Sequence, residues 1–362
     1  MSPLVDPAIL RALSLDPSAT KIASHGGSGF SSTFRLATTT KPLKSFFVKT
    51  APNPDAALMF EGEHASLNAI HSAVPSLCPQ SFAWGKLDSQ ANSYFLATEF
   101  IDLSSHRRST SKTGGGGGGG GSGITLAQKL AKLHTTPAPI PSGHSTARFG
   151  FPVPTCCGDT PQPNQPYTTS WPDFFAQNRL LSILERGESG NGKDAELRCL
   201  VEKTASKVVP RLLGEGHLGG AQGITPVVVH GDLWCGNHGR GTFPGRHQAQ
   251  QASAPVDNDE ADGGGEVEAG IEHVIYDPSS TYAHSEYELG IMKMFGGFGS
   301  GFYDEYHHLV PKTEPVSEYD DRVALYECYH HLNHWAIFGG GGYRNGAATI
   351  LKRLVKKYAG DG

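Results

Sequence analysis

A short apolar segment that ends in a His-Gly-Asp triplet is the feature that most restricts how this chain can fold. Val227–Val229 predicts a buried strand, His230-Gly231-Asp232 follows it directly, and Asn237 lies five residues after Asp232. A carboxylate at the end of a rigid strand can accept a proton, and an amide oxygen is a hard, neutral ligand that suits Mg²⁺. The alternative is a turn in which Asp232 and Asn237 only hydrogen-bond the backbone.

A second apolar segment, Val274-Ile275-Tyr276, ends in Asp277. The H-x-D-x-x-x-x-N spacing of the first segment is that of kinase catalytic loops, in which the Asp deprotonates the acceptor hydroxyl and the Asn binds metal. Such loops work with a second carboxylate that also holds metal. We therefore predict Asp232 as the catalytic base and Asn237 and Asp277 as metal ligands. For Asp277 the alternative is a simple strand-end residue before a proline turn.

The first third of the chain predicts the nucleotide-binding parts of such a kinase. In the segment 25–30, Gly27, Ser28 and Gly29 would form a loop over the phosphates, although any tight turn uses glycine. Lys49 follows three apolar residues and would reach the α- and β-phosphates from its strand. Glu99 and Ile101 fall where the backbone should meet the adenine ring.

A helix after this strand carries the predicted partner of the lysine. Glu63 lies fourteen residues beyond Lys49 and would hold it by an ion pair if it faces inward. Glu61 is the alternative on the same helix, but it points about 160° away from Glu63.

The order of predicted elements divides the chain into two unlike parts. Periodicity in the first third predicts two helices and five strands, with the helices at 7–15 and 56–72 and the strands at 21–24, 32–38, 45–50, 81–87 and 94–100. Leu126, Leu130 and Leu133 then begin a mainly helical region. This order predicts an α+β, bilobal protein-kinase-like fold, with a β-rich N-lobe and a mainly helical C-lobe that carries the catalytic hairpin.

Two segments of biased composition interrupt this order. Gly114 to Gly121 are consecutive glycines, which have the largest backbone entropy cost of ordering and no side chain to bury. Residues 247–270 are rich in Gln, Ala, Asp, Glu and Gly and have no apolar periodicity. We predict an N-lobe at 1–102, a disordered insertion at 103–123, and a C-lobe at 124–362 with a second disordered insertion at about 241–270.

Charge and composition exclude several other classes of protein. The net charge of −5 argues against a broad basic face for nucleic acid, and no apolar run reaches the roughly 18–20 residues of a membrane span. The N-terminus shows no signal-peptide pattern, so we expect a cytoplasmic protein with reduced cysteines. Residues 187–194 resemble a Walker phosphate loop, but Asp194 replaces the required hydroxyl, which predicts a loop that ends a helix.

Longer motifs occur along nearly the whole chain outside the two biased segments. They are Phe60-Glu61-Gly62-Glu63, Phe149-Gly150-Phe151, Thr155-Cys156-Cys157-Gly158, the loop 230–237 with its Trp234, the segments 277–286 and 294–298, and 329–335 followed by Phe338-Gly339-Gly340. With these motifs in this order, the chain resembles the fructosamine 3-kinase / ketosamine 3-kinase family, in the aminoglycoside-phosphotransferase-like branch of the protein-kinase-like fold.

The resemblance implies that ATP and Mg²⁺ serve to phosphorylate the C3 hydroxyl of ketosamines, the sugar adducts of protein or free amines. The phosphorylated adduct is unstable, so the reaction deglycates the amine. The resemblance also implies that Trp234 and His284 line the sugar pocket, where an aromatic face suits the apolar side of a sugar ring. For Trp234 the alternative is an anchor in the core beneath the loop. The implied partners are ATP and the ketosamine, and we expect a monomer or weak dimer.

One departure from the family pattern and two other functions complete the interpretation. Phe30 stands where family members often carry a redox-sensitive cysteine, which argues against disulfide-linked dimers. An aminoglycoside- or choline-type small-molecule kinase is one alternative, and Trp234 argues against it. The other is a pseudokinase that binds nucleotide without turnover. The presence of Lys49, Asp232 and Asp277 argues against that alternative.

Overall fold

A five-stranded antiparallel sheet forms the first part of the molecule. The computed structural model describes residues 4–27, 31–103, 123–246 and 270–360. The strands lie in the order β1-β2-β3-β5-β4, with one helix before the sheet and one between its third and fourth strands. These elements are α1 (Pro7–Leu13), β1 (Thr20–Ser24), β2 (Ser32–Thr38), β3 (Ser45–Ala51), α2 (Ala56–Ala73), β4 (Ser81–Lys86) and β5 (Tyr94–Glu99).

Strand alternation gives this sheet two different faces. Val48 on β3 packs with Leu36 and with Ile9 of α1, so this face is closed by the N-terminal helix. Side chains of successive strand residues point to opposite faces, which turns Lys49 toward the face covered by α2. Phe60 of α2 packs there against Leu96, the residue opposite Lys49 in the sheet. A basic side chain is thereby held on the helix-covered face of a central strand.

The rest of the described chain is mainly helical, with short paired strands. Two π-helical turns, Phe175–Leu181 and Thr204–Val208, continue the helices on either side of them. The elements are α3 (Leu126–Thr135), β6 (Thr155–Cys157), β7 (Thr160–Gln162), α4 (Trp171–Phe174), α5 (Ser182–Asn191), α6 (Ala195–Lys203), α7 (Val209–Leu213), β8 (Val227–Val229), β9 (His238–Gly241), β10 (Glu272–Ile275), β11 (Thr281–Ala283), α8 (Glu288–Phe295), α9 (Ser300–Leu309), α10 (Tyr319–Phe338) and α11 (Tyr343–Tyr358).

A buried aromatic cluster forms the centre of the helical part. Trp171 is 1% exposed, its ring stacks on Phe174, and its indole N–H donates to the Tyr326 hydroxyl at 2.9 Å. Trp171 also packs against Phe149 and Tyr287. Because each aromatic ring removes a large apolar area from water, this cluster holds α4, α10 and the turn before α8 together as one scaffold.

Three antiparallel strand pairs position the loops between them. β8 pairs with β11, β9 pairs with β10, and β6 pairs with β7. The first two pairs place the loop after β8 beside the loop after β10. The described residues include no helix that is long and apolar enough to cross a membrane.

The α+β fold predicted from the sequence is confirmed, and most predicted elements agree with the structure within one or two residues. The β6–β7 hairpin was not predicted. The predicted loop at 187–194 is wrong in part, because Gly187 lies inside α5 and the helix continues to Asn191. Gly187 is needed there because a Cβ would lie 2.2 Å from the Trp335 ring.

The two predicted insertions lie largely outside the described residues. At the start of the second insertion, Gly241 ends β9 and Thr242 exchanges backbone hydrogen bonds with Asp102 at 2.9 and 3.1 Å. The Arg246 guanidinium donates to the Glu99 carboxylate, with one bond of 3.0 Å. Residues 241–246 therefore belong to the fold, contrary to the predicted boundary.

Candidate active site

The loop between β8 and β9 is held in place by backbone contacts on two sides. The His230 imidazole is hydrogen-bonded through Nε2 to the Tyr276 carbonyl at 2.9 Å, and the Ser279 N–H donates to the His230 carbonyl at 2.8 Å. Gly231 has a φ of +80°, and a Cβ at this position would lie 2.1 Å from the Ser279 carbonyl oxygen. Only glycine fits such a close approach without strain. The loop after β8 is thus locked to the segment after β10.

Glu288, at the start of α8, anchors the same loop from below. Its carboxylate accepts the backbone N–H groups of His230 at 2.5 Å and of Gly231 at 3.0 Å, and its side chain is fully buried. Burial alone would raise the pKa of Glu288, but the imidazoles of His134, 3.6 Å away, and His230 lower it below its usual value. A charged, buried carboxylate therefore holds the backbone of this loop through two N–H groups.

Asp232 follows Gly231 in this loop, and its carboxylate accepts hydrogen bonds from two side chains. The Cys157 thiol donates to Oδ1 at 3.5 Å, and the Asn237 amide donates to Oδ2 at 3.3 Å. Burial raises the pKa of Asp232 to about 8, against the hydrogen bond from Cys157, and the nearby Asp277 adds to the rise. An oriented carboxylate with a raised pKa is suited to accepting a proton from a hydroxyl group.

Lys49 joins two carboxylates from opposite sides of the cleft. Its Nζ donates to Glu63 at 2.7 and 3.0 Å and to Asp277 at 2.6 Å. Burial opposes the charge on the ammonium, but the attraction of Asp277 and Glu63 outweighs burial and raises the pKa of Lys49. The amine is therefore charged at neutral pH, as a phosphate-binding group must be. Glu63, and not Glu61, is the helical residue that contacts Lys49.

Asp277 adopts a backbone conformation that is rare outside glycine. Its φ is +58°, in the left-handed region, and its side chain is 46% exposed toward the cleft. Such strain is found where the surrounding structure holds a residue for function. Here the turn brings the carboxylate within reach of both Lys49 and the space above Asn237.

Asn237 and Asp277 offer the kind of oxygen ligands that would suit a magnesium ion. The Asn237 amide nitrogen donates to the Asp232 backbone carbonyl at 2.9 Å, which leaves its amide oxygen as the atom for a cation. The part of the chain that the structure describes contains no group of three or more His, Cys, Asp or Glu side chains that could hold a metal. Mg²⁺ commonly binds through one or two protein oxygens, with phosphates and water as the other ligands, so this pair is sufficient.

A cavity of about 270 Å³ lies between the sheet and the strand that leads to Asp277. Gly27, Lys49, Glu99 and Ile101 are among its lining residues. Glu99 and Ile101 bring their backbone to this cavity, and the Glu99 carbonyl accepts a bond of 3.0 Å from the Thr98 hydroxyl. The edge of an adenine ring could pair with these backbone groups. Ser28, Gly29 and Phe30 lie outside the described residues.

A second cavity of about 260 Å³ opens beside Asp232. Its lining includes Asp277, Cys156 and Trp234, whose side chain is 37% exposed. A Cβ on Gly236 would lie 2.2 Å from the Trp234 ring, so the glycine allows the ring to fold back over the loop. Trp234 therefore faces the cavity and is not a core anchor.

His284, the second residue predicted for the sugar pocket, lies elsewhere. It is 2% exposed, and its two ring nitrogens are hydrogen-bonded to the hydroxyls of Tyr326 and Thr313, each at 2.9 Å. With both ring nitrogens engaged in the core, His284 is not brought together with the residues around the cleft, and its position gives the predicted sugar contact no support. The same contacts identify His284 as a residue that joins β11 to α10.

Two functional candidates were not predicted from the sequence. Glu288 could have been suspected as a lone carboxylate in an apolar helix, but the backbone N–H groups that it binds leave no trace in the sequence. Cys157 belongs to one of the sequence motifs, but its contact with Asp232 depends on the β6–β7 hairpin, which the sequence does not predict. All six cysteines of the chain are free thiols.

Comparisons with known proteins agree with this geometry. The family model described as fructosamine kinase matches residues 9–357. The ketosamine-3-kinase of Mus musculus is 33% identical over 348 residues, which cover 94% of this chain and 96% of the mouse protein.

Solved structures place the fold in a wider group. A Thermobifida fusca protein provisionally named fructosamine-3-kinase superposes with a TM-score of 0.65 at 21% identity, covering 97% of this chain and 99% of the other. A thermostable aminoglycoside phosphotransferase APH(4)-Ia, solved with AMP-PNP and hygromycin B, has a TM-score of 0.54 at 11% identity, covering 98% of this chain and all of the other. Since the family model spans almost the entire chain, the protein belongs to the fructosamine kinase family and is a kinase.

Proposed function

We propose that this kinase transfers the γ-phosphate of ATP to the C3 hydroxyl of ketosamines, and so starts the removal of sugars from amines. One observation carries the proposal: Asp232 shares a cavity with the exposed ring of Trp234 on one side and with Asp277 and Lys49 on the other. A sugar can stack on the indole while its hydroxyl meets the carboxylate. The mouse relative is a ketosamine-3-kinase by name, which supports this choice of acceptor.

In this proposal each polar group has one task. Asp232 accepts the proton of the C3 hydroxyl while the hydroxyl oxygen forms a bond to the γ-phosphorus of ATP. The bond between that phosphorus and the oxygen that bridges it to ADP breaks, and ADP leaves. Lys49, held by Glu63, binds the α- and β-phosphates. Asn237 and Asp277 would hold Mg²⁺, which would neutralise charge on the phosphates.

Catalysis on this scheme is mainly positioning. The transferred phosphoryl group needs little covalent help from the protein, so the rate depends on the alignment of hydroxyl, γ-phosphate and base. Glu288 and the contacts of His230 fix the backbone on which Asp232 stands. The adduct phosphorylated at C3 is unstable and releases the free amine.

The test is an assay of the purified protein with Mg-ATP and either fructosyl-lysine or ribulosyl-lysine, followed by mass spectrometry. The expected product is heavier by one phosphate and then decays to lysine. Hygromycin B and choline serve as comparison acceptors in the same assay. Phosphorylation of one of these and of neither ketosamine would support an aminoglycoside- or choline-type kinase instead. Nucleotide binding without any product would support a pseudokinase.

A further inference from the structure

A row of aromatic rings leads from the acceptor cavity to the surface of the helical part. Trp234 contacts Phe295 of α8 at a centroid distance of 5.6 Å, and Phe295 contacts His334 of α10 at 5.0 Å. His334 contacts Phe338 at 5.9 Å and Tyr343 at 5.1 Å. These spacings lie in the range of favourable aromatic pairs. We call these five residues the aromatic wall.

The wall begins in the proposed active site. Trp234 lines the cavity that contains Asp232, and Phe295 is the next ring, in contact with the indole. A second contact connects the same regions, because a Cβ on Gly158, another lining residue, would lie 2.9 Å from the Ile337 side chain of α10. The C-terminal end of α10 therefore lies directly beside the mouth of the acceptor cavity.

The far end of the wall is open to solvent. Phe338 is 60% exposed, more than the 37% of Trp234 at the cavity. Phe295, His334 and Tyr343 are partly exposed between them. Burial lowers the pKa of His334, so its ring is neutral at physiological pH and the wall is an uncharged surface. Exposed aromatic patches of this kind commonly mark binding surfaces.

The length of the wall indicates what it binds. A ketosamine on a lysine side chain places the sugar and the peptide backbone at opposite ends of a stem that spans roughly 6 Å, given C–C bonds of about 1.5 Å. With the sugar on Trp234, the lysine stem would pass over Phe295. The next ring along the wall is His334, and Phe338 follows it. The position of Phe338 thus matches residues that flank the modified lysine, whereas a free amino acid adduct is too short to reach it.

Resting on the proposed function, we infer that the aromatic wall binds the peptide around a glycated lysine and favours acceptors with an apolar residue beside that lysine. Burial of the Phe338 ring under an apolar side chain adds affinity only for these longer acceptors. The wall thus determines specificity among ketosamines.

The test compares three acceptors with the full-length protein: free fructosyl-lysine, a fructosylated peptide with leucine on both sides of the lysine, and the same peptide with serine. The wild type is expected to show the highest kcat/KM on the leucine peptide. Phe338→Ala should lower the ratio of kcat/KM for the leucine peptide to that for free fructosyl-lysine about tenfold, through KM. Phe82→Ala is the control: it removes a phenylalanine ring on β4 that is 42% exposed, and it should leave this ratio unchanged.

Two results would overturn the inference while the proposed function stands: equal kcat/KM of the wild type for the leucine and serine peptides, or an unchanged ratio in Phe338→Ala. If the wild type phosphorylates none of the three acceptors, the proposed function itself fails. Circular dichroism of Phe338→Ala should match that of the wild type, since the ring is mostly exposed.

Discussion

The ammonium of Lys49 lies 2.6 Å from the carboxylate of Asp277, a residue 228 positions further along the chain. Lys49 stands on the central strand of the sheet, and Asp277 follows β10 in the helical part. This ion pair therefore links the two sides of the cleft. In the proposed reaction this ion pair would have to open, so that Lys49 could bind phosphates and Asp277 could hold Mg²⁺.

Replacement of Lys49 tests the first half of this exchange. Lys49→Met should lower kcat by about 10²- to 10³-fold, the usual loss when one positioned charge at a reacting group is removed. The measurement is steady-state kinetics with Mg-ATP and the ketosamine. Lys44→Met removes an exposed lysine just before the same strand and should retain wild-type rates. Wild-type turnover in Lys49→Met would exclude Lys49 from phosphate positioning.

Replacement of Asp277 tests the second half. Asp277→Ala removes the carboxylate with which we expect the metal to be held, so Mg-nucleotide affinity should fall below detection by calorimetry. Nucleotide without magnesium should bind the variant and the wild type with more similar affinities. Asp173→Ala changes an exposed aspartate on α4 and serves as the control. Undiminished Mg-ATP affinity in Asp277→Ala would show that Asp277 is not a metal ligand.

Asp232→Asn separates binding from proton transfer. The amide keeps the size of the carboxylate but cannot accept the hydroxyl proton, so kcat should fall by about 10²- to 10⁴-fold while ATP affinity is retained. Kinetics and calorimetry on the same preparation give both numbers. Asp173→Asn is the matched control. A variant with near-normal kcat would remove Asp232 from the role of base.

Much of the site could be predicted because its residues lie at the ends of strongly patterned segments. The run Val227–Val229 predicts a buried strand, which the structure confirms, so the position of Asp232 after its end follows from chain order. The same holds for Lys49, since alternation along β3 decides which face of the sheet it occupies. The local sequence pattern thus predicts where Asp232 and Lys49 lie on their strands, and the contacts between them and other residues then follow from the fold.

The parts that were missed depend on contacts between distant segments. Glu288 binds backbone N–H groups 57 and 58 positions away, and no residue type at those positions reveals the contact. The family resemblance implies a place for His284 in the sugar pocket, whereas its bonds to Tyr326 and Thr313 place it in the core. Sequence spacing shows which side chains follow a strand but not which way a buried ring turns.

Glu288→Gln tests whether the buried carboxylate supports the catalytic loop. In glutamine an NH₂ group replaces one carboxylate oxygen, so one of the two backbone N–H groups loses its acceptor. An unsatisfied buried donor costs about 1–3 kcal/mol. The free energy of unfolding should fall by about that amount in urea titrations, and kcat should fall more than ATP affinity. Glu185→Gln, at an exposed position on α5, should change neither. An unaltered kcat in a destabilised Glu288→Gln would mean that the anchor is structural only.

His284 makes stability depend on pH in a defined direction. Burial lowers the pKa of His284 from 6.5 to about 4, so below pH 6.5 the unfolded chain binds a proton that the folded chain resists. Stability from this residue is complete above pH 6.5 and is lost as the pH falls toward 4, by about 3 kcal/mol in total.

His284→Gln removes this titration, so its free energy of unfolding should approach or exceed that of the wild type as the pH falls from 7 to 4. Urea titrations across that range measure the difference. Thr313→Val is the matched control, because it breaks the 2.9 Å bond to His284 but keeps the imidazole, and its curve should retain the acid loss. Parallel curves for His284→Gln and the wild type would show that His284 titrates alike in the folded and unfolded chains.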